Sequence, residues 1–191
     1  MNKYVFDSCV LYATTAGGFS TNELDTLFSK FTDEAKLGVN DDGVTFTLEQ
    51  ELHQITEAGD NDRAVVGRER IVSCKGNVEG TINVFDKNLF EMCSLVKAEN
   101  SSTKYDVYVP QTGIIPESAY KDIAVVGTTA TGVDMCVIVH NCYNESGFSL
   151  DSKSKDEAVC KVKFVGRIKQ EDKGINFTSK PVEIITLKET E

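Results

Sequence analysis

The clearest alternation of hydrophobic and polar residues in the chain runs from Val44 to Glu51. In an extended chain Val44, Phe46 and Leu48 point to one side, and the Thr and Glu residues between them point to the other. A turn cluster, Asn-Asp-Asp-Gly at 40–43, stands directly before this run. The run therefore predicts a β-strand with one buried face and one solvent-exposed face.

Two more strand-like runs follow, RERIVSC at 68–74 and EGTINVF at 79–85. A Lys-Gly-Asn tripeptide centred on Gly76 separates them at the spacing of a β-hairpin. Between the first strand and these runs, residues 57–68 (EAGDNDRAVVGR) are rich in charge and glycine. They predict a long loop, and long loops inside compact domains are usually functional or mobile.

Helical periodicity occurs in two places. Ser20 stands three residues before Glu23, the spacing of a capping box. The apolar residues of the helix predicted there, which ends near Gly38, are Leu24, Leu27, Phe28, Phe31 and Ala35. A second helix is predicted from about residue 87 to 98, with Asp86 as its N-cap. Its apolar stripe consists of Leu89, Phe90, Cys93 and Val96.

The second half of the chain is predicted to be nearly all β. Short strand-like runs lie at 105–110, 123–126, 133–142, 158–168 and 182–187. In the run at 158–168 one face is apolar, and the other carries a basic row in an otherwise acidic protein: Lys161, Lys163 and Arg167. No repeat or linker divides the chain, so we expect one domain over residues 1–191, of class α+β and mainly β. Residues 1–19 predict a strand or N-terminal arm with a glycine joint.

Composition narrows the possible partners. The 191 residues include 20 basic and 30 acidic side chains, a formal net charge of −10. Because tight binding to duplex DNA uses Lys and Arg to displace counterions, this charge argues against stable nucleic-acid binding. No apolar run approaches the ~20 residues of a membrane span, and Asp7 interrupts any signal-peptide core. We expect a soluble protein made in the cytoplasm, with no membrane partner and six reduced cysteines.

Few side chains could carry catalysis, because the chain has only two histidines, His53 and His140. In an extended strand Cys136, His140 and Cys142 would share one face, so a small thiol or metal enzyme is one alternative. The pattern lacks the paired CxxC of structural zinc sites and an obvious fourth ligand, which favours ordinary sheet packing. We predict no catalytic residues, no cofactor, no metal and no enzymatic activity.

Two acidic groupings resemble functional sites but lack their patterns. Residues 60–62 (Asp-Asn-Asp) lack the alternating ligand spacing and terminal Glu of a calcium loop. Glu49 and Glu51 lie within about 7 Å of each other on one strand face, as a catalytic carboxylate pair would. Unpaired acids on a solvated strand face are far commoner, so both groupings are interpreted as solvent-exposed.

The segment KLGVNDDGVTFTLEQELHQITEAG, residues 36–59, resembles the beginning of the core sheet in tail tube proteins of long-tailed phages. In that family a Leu-Gly turn and a Gly-Val-Thr-Phe strand precede a long loop, a hairpin and a helix. The residues in those places here are Gly38, Gly43, Val44, Thr45 and Phe46. The later runs VCKVKFVGRI and INFTSKPVEIITL are similar to the family's closing strands.

This resemblance implies a β-sandwich or half-open barrel with a flanking helix, a fold also found in the type VI secretion tube protein. It implies a structural virion protein, made in the host bacterial cytoplasm, that self-assembles into stacked six-fold rings. The rings would form the tail tube through which DNA is ejected. Its other partners would be tail proteins: the tape measure, the tail tip or baseplate, the terminator and, as a further candidate, a sheath.

The resemblance also implies roles for three groups of residues. The strand at 44–51 matches the family's inner strand, so its solvent-exposed face would line the lumen. The residues on that face are Thr45, Thr47, Glu49 and Glu51. Carboxylates there would repel phosphates, so that DNA passes without adhesion. The long loop would contact the next ring, through Asp60, Asp62, Arg63 and Arg68. The basic row, Lys161, Lys163 and Arg167, would contact an acidic neighbour or the sheath.

A function of a different class remains open. A monomeric β-sandwich binding module, specific for a carbohydrate or a receptor, would have a similar composition. Such modules often expose aromatic side chains, whereas this chain has no Trp and most of its aromatics fall on apolar faces. Size in solution separates the two classes, because a module stays small and a tube subunit polymerises.

Overall fold

A computed structural model of the chain describes residues 6–15, 17–38, 43–55, 65–129, 134–152, 157–168 and 180–186. Within these ranges the structure is mainly β, which confirms the predicted class. The strands and α-helices are β1 (Phe6–Thr15), α1 (Leu24–Leu27), β2 (Val44–Gln54), β3 (Glu69–Ile82), α2 (Lys87–Met92), β4 (Leu95–Lys97), β5 (Tyr108–Pro110), β6 (Lys121–Thr129), β7 (Asp134–Asn144), β8 (Cys160–Val165) and β9 (Val182–Ile185).

The larger sheet is antiparallel, with strand order β1-β6-β7-β8-β3-β2. Strand β7 is its centre, because it pairs with β6, with β9 through residues 136–139 and with β8 through Tyr143 and Asn144. Strands β4 and β5 form a separate two-stranded sheet. In the described part of the chain β1 and β2 lie at opposite ends of the order, so the sheet does not close into a barrel.

The main hydrophobic core lies between the two halves of this sheet. Val125 and Val139 come from the β1-β6-β7 half, and Val78 and Phe164 come from the β3-β8 half. Helix α2 packs its buried side chains into the same core and flanks the sheet, as expected. A second cluster covers the opposite side of β6 and β7, and it consists of Phe19, Leu27, Ala124, Cys136 and Ile138. Burial in these two clusters is the main favourable contribution to folding.

The single amphipathic helix predicted for residues 20–38 is wrong. Ser20 does cap the first turn, and its hydroxyl accepts a hydrogen bond from a backbone N–H two residues on, at 3.3 Å. The chain then forms only the four-residue α1 and short 3-10 turns, because Thr32 has an extended backbone (φ −93°, ψ 164°). The Phe31 ring packs on Tyr12 of β1, with centroids 5.1 Å apart. Aromatic packing against the sheet thus overrides the helical periodicity.

The hairpin predicted around Gly76 is also wrong. Strand β3 runs without interruption through this position and pairs with β2 along most of its length. Gly76 does not have a positive φ, and its carbonyl accepts a hydrogen bond from the Gly166 N–H at 2.9 Å. The hairpin is instead formed by β2 and β3, and the segment predicted as a long loop connects them.

Helix α2 begins as predicted and ends early. The Asp86 carboxylate accepts a hydrogen bond from the Leu89 N–H at 2.8 Å, which is the expected N-cap. The helix ends at Met92 rather than near residue 98, because Ser94 has a left-handed backbone (φ 60°) that turns the chain into β4. Val96, predicted on the helix stripe, lies in β4.

Candidate interaction surface

The outward face of β2, β3 and β8 carries most of the residues singled out in the sequence. Thr45, Thr47, Glu49 and Glu51 are all exposed on β2. Across the strands Thr45 lies opposite Glu79, which in turn lies opposite Lys163 of β8. The acidic strand and the basic row, expected as two separate surfaces, therefore share one face of one sheet.

The basic row is neutralised within this face. Lys163 Nζ lies 2.8 Å from Glu79 Oε1, and this hydrogen bond and charge raise the Lys163 pKa. Lys161 Nζ lies 3.9 Å from Asp151 Oδ2, and Arg167 forms an ion pair with Glu145. Acidic and basic side chains are thus interspersed here, although the chain as a whole is strongly acidic.

A shallow groove of about 440 Å³ crosses the same face. It is lined by Glu49, Lys75, Asn77, Glu145, Lys163, Val165 and Arg167. Asn77 is buried, and its Oδ1 is the one buried side-chain oxygen or nitrogen in the described ranges that has no hydrogen-bond partner. A buried acceptor without a donor is costly, so a water molecule or a donor from another chain is expected there.

Beyond Gly76 the β2–β3 hairpin extends past the rest of the sheet as a two-stranded ribbon. Strand β3 pairs with β8 only from Asn77 to Ile82, whereas it pairs with β2 as far as Gln54. Within the described ranges, no strand pairs with β3 at 70–75 on the side away from β2, and none pairs with the outer side of β2. Within the described residues the ribbon therefore presents two strand edges that no other strand covers, and such edges are templates for pairing with another chain.

The inward face of the ribbon is apolar and exposed. Leu48, Leu52 and Ile71 are 41%, 59% and 48% exposed. A register shift after Glu51 places Leu52 directly opposite Ile71, so both side chains remain on this face. The prediction of a buried face on β2 holds for Val44 and Phe46, which pack against the core, and fails towards the tip of the ribbon.

A second groove, of about 560 Å³, runs beside the free edge of β3. Its walls are β3, residues 166–168 and residues 180–182. The apolar lining comes from Ile71, Val72, Ile168, Pro181 and Val182, and the cationic lining comes from Lys75, Arg167 and Lys180. The groove therefore offers an apolar floor and a basic rim next to an edge of β3 that no described strand covers.

The loop residues predicted to contact another ring are only partly described. Asp60, Asp62 and Arg63 lie outside the described residues. Arg68 is half-buried at the tip of the ribbon, where its carbonyl accepts a hydrogen bond from the Ile55 N–H at 2.7 Å. In the N-terminal arm, residues 6–15 form β1 and pair with β6.

The structure does not bring Cys136, His140 and Cys142 together on one face. Asn141 has a left-handed backbone (φ 50°), and the register between β6 and β7 shifts at this point. Cys136 therefore lies in the second cluster and Cys142 in the main core, on opposite sides of the sheet. Burial raises the pKa of Cys136 to about 12 and also raises that of Cys142, which keeps both thiols protonated. His53 is exposed on β2.

Lys75 and Glu79 also belong to this surface, although the sequence pattern did not predict it. The sequence predicted a turn at Gly76, and with a turn there Lys75 and Glu79 would not lie on one continuous strand. In the structure both lie on β3. One available signal was the glycine itself, since a glycine inside a strand-like pattern often marks a close approach of another segment.

Similarity to known proteins is found among solved structures. No family model matches the chain, and no curated protein matches it. Among solved structures it is similar to a chain of the anti-feeding prophage cap, described as the tube terminating cap, with a TM-score of 0.46 and 10% sequence identity. The match covers 98% of this chain and 95% of that chain. In the described ranges, no helix combines the length and apolar character that crossing a membrane requires.

Proposed function

We propose that this chain is a structural subunit of a phage tail tube, and that its copies assemble into stacked six-fold rings through which DNA is ejected. The proposal is supported by the sequence resemblance and by the mainly β fold with a flanking helix. The observation that carries it is the pair of edges on the β2–β3 ribbon that no strand of the described ranges covers. A monomer with two such edges is prone to uncontrolled pairing, whereas a ring would cover both.

In the proposed ring, β2 of one copy lies beside β3 of the next copy at residues 70–75. This contact is head-to-tail, because two different edges of the molecule meet. When this contact is repeated around an axis, it closes a ring, and the main core of each copy stays unchanged. The backbone N–H and C=O groups of both edges then find partners, which is the usual source of affinity when a strand is added to a sheet.

The side chains on these two edges are complementary on both faces of the ribbon. On the outward face Glu49 and Glu51 of one copy meet Lys75 of the next, beside Arg167. On the inward face Leu48 and Leu52 enter the apolar groove beside β3. Burying these leucines contributes roughly 1.5–3 kcal/mol for each side chain that is fully covered, which favours association of copies.

If the outward face lines the lumen, DNA meets interspersed charges rather than a purely acidic wall. Lys161, Lys163 and Arg167 are each paired with a carboxylate, so few cations remain to displace counterions from phosphates. Glu49 and Glu51 repel phosphates over about a Debye length of 8–10 Å. Passage without adhesion therefore rests on charge balance together with these carboxylates. The tape measure, tail tip and terminator would act at the lumen or the tube ends.

The test uses two variants that each reverse the charge of one edge. The first carries Glu49→Lys and Glu51→Lys, and the second carries Lys75→Glu and Arg167→Glu. Each variant alone brings like charges together at the proposed contact, so we expect it to stay monomeric by light scattering. Mixed in equal amounts, the two variants present opposite charges at each contact of a ring in which they alternate. We therefore expect rings or tubes in negative-stain electron microscopy of the mixture only.

The matched control is Glu99→Lys with Glu117→Lys, which makes the same charge change at exposed positions far from the ribbon in sequence. It is expected to assemble as the unaltered chain does. Two results would contradict the proposal: an unaltered chain that remains monomeric at high concentration, or a mixture of the edge variants that assembles no better than either variant alone.

A monomeric binding module is the second candidate, and the groove beside β3 is the observation that favours it. Its volume of about 560 Å³ is within the range of small-ligand pockets, and its lining combines apolar and cationic groups. Among the described residues, none of those that line the groove is aromatic, whereas carbohydrate recognition commonly uses aromatic side chains. A monomer that binds an acidic ligand, with binding lost on Lys75→Glu, would favour this reading.

A further inference from the structure

His140 of β7 bridges two carboxylates from two other strands. Its Nδ1 lies 3.2 Å from Asp122 Oδ2 of β6, and its Nε2 lies 3.2 Å from Glu183 Oε2 of β9. The His140 side chain is 18% exposed, that of Asp122 is fully buried and that of Glu183 is 14% exposed. Three strands therefore meet at one imidazole ring.

Each carboxylate is also bound by other donors, which favours its charged form. The Asp122 carboxylate accepts hydrogen bonds from the backbone N–H of Gly17 at 2.8 Å and of Asn141 at 3.0 Å. The Glu183 carboxylate accepts hydrogen bonds from the Thr21 hydroxyl at 3.0 Å and from Lys180 Nζ at 3.2 Å. An ionised carboxylate is only an acceptor, so the ring nitrogen that faces it must donate.

A neutral imidazole cannot satisfy this arrangement. It carries one N–H, so one ring nitrogen would direct a lone pair at a carboxylate. Only the protonated ring can donate to Asp122 and Glu183 together. These contacts also join the turn at Gly17 and the 3-10 turn at Thr21 to the sheet, so the ring links segments that are distant in sequence.

Other charged and titratable groups of the described residues also lie near the ring. Lys180, next to β9, is paired with Glu183. The backbone N–H of Arg167 donates to the His140 carbonyl at 3.3 Å, while the Arg167 side chain is paired with Glu145. The Cys142 thiol faces Asp122 from the core side and stays protonated, since burial and the charge of Asp122 raise its pKa. Within the described residues, His140 thus faces two carboxylates, and the nearby Lys180 ammonium is itself paired with Glu183. This balance of charges favours the protonated ring.

We propose that protonated His140 is a pH-operated clasp that holds β9 against β7, and that loss of its proton releases β9. The strand is well suited to such a role, because it has four residues and pairs with β7 through residues 136–139, with one further backbone hydrogen bond from the His140 N–H to the Pro181 carbonyl at 3.0 Å. Its first residue, Val182, lines the groove beside β3, so release of β9 also removes one wall of that groove. The inference does not depend on assembly into tubes.

The pH range of the clasp follows from the direction of two pKa shifts. Burial lowers the His140 pKa, but the hydrogen bonds and charges of Asp122 and Glu183 outweigh burial and raise it overall. The stabilisation by His140 is then complete below its unfolded pKa of about 6.5 and is lost as pH rises through the higher folded value. Burial raises the Glu183 pKa, while Lys180, Thr21 and His140 outweigh it and lower it overall. The stabilisation that ionised Glu183 contributes is therefore lost only in acid, below about pH 4.3.

The test is amide hydrogen exchange of residues 182–185 in the full chain, measured by NMR from pH 5.5 to pH 9 and corrected for intrinsic exchange. We expect protection of these amides to fall by up to about tenfold for each pH unit between about 6.5 and the folded His140 pKa, and to level off above it. Protection in β6 should stay unchanged. The His140 ring resonances, recorded in the same samples, should titrate at the same pH.

Two variants test whether His140 is the group whose titration releases β9. His140→Gln retains a donor but cannot titrate, so exchange of β9 should lose its pH dependence. If that variant does not fold, Glu183→Gln removes one of the two charges and should lower the pH at which the His140 resonances titrate. His53→Gln, at an exposed position, is the control and should change neither readout. Equal protection of β9 at pH 5.5 and pH 9, or an unaltered pH dependence in His140→Gln, would overturn the clasp.

Discussion

Gly76 of β3 lies directly against Val182 of β9. A Cβ added at Gly76 would sit 2.4 Å from Val182 Cγ2 and 2.9 Å from Val139 Cγ1, both closer than real Cβ atoms approach. The glycine therefore allows the ribbon to cross the end of the opposite half-sheet in contact with it. At this crossing the pairing of β3 with β8 ends, and no other strand of the described ranges continues it.

The first prediction concerns this contact. Gly76→Ala should destabilise the protein by about 1–3 kcal/mol, the usual cost of overpacking a core site, as measured by urea denaturation. Adding Val182→Ala should recover part of the loss, because it removes the nearest clashing methyl group. Gly80→Ala is the control on the same strand, since its nearest neighbour would be 3.4 Å away. Equal losses at the two glycines would refute the packing role of Gly76.

A second prediction concerns the start of α2. Asp86→Ala removes the acceptor of the Leu89 N–H and should reduce the free energy of unfolding by about 1 kcal/mol. Asp86→Asn keeps a side-chain oxygen at the cap and should lose much less. The two variants can be compared in urea denaturation curves with a common m-value. Indistinguishable midpoints for the two would show that the cap contributes little.

The parts of the fold that the sequence predicted well are those governed by local rules. Strict alternation located β2 and β8, and the capping chemistry of Asp86 located the start of α2. Periodicity failed where contacts distant in sequence decide the backbone. Phe31 stacks on β1 instead of continuing a helix, and Gly76 allows a close approach that a single chain segment does not reveal.

For the candidate surface, too, the features set by local alternation could be predicted and those set by contacts distant in sequence could not. The exposure of Glu49 and Glu51 followed from alternation, as did the exposure of the basic row. That these groups share one face could not be predicted, because it depends on β8 pairing with β3 rather than with another strand. The left-handed Asn141 likewise separated Cys136 from Cys142, and no periodic pattern anticipates such a bulge.

A third prediction concerns the cysteines. Cys74 is half-buried and lines the groove beside β3, so it should react first with a small alkylating reagent at pH 8. Cys136 and Cys142 are fully buried with raised pKa values, and the thiolate is the reactive form, so both should react only after unfolding. Peptide mass spectrometry after timed labelling measures each site. Rapid labelling of Cys136 in the folded protein would revive the thiol-enzyme alternative.

The last prediction concerns the segment between β2 and β3. Replacing residues 57–64 with a short glycine-containing turn should leave the monomer folded, because Ile55 and Arg68 still close the ribbon through their backbone hydrogen bond. If this segment contacts the next ring, stacking stops while single rings still form, since the free strand edges are unchanged. Electron microscopy distinguishes single rings from tubes. Neutralising only Asp60, Asp62 and Arg63 separates the effect of charge from that of length. Tubes at normal yield from the shortened chain would assign the contact between rings to another part of the molecule.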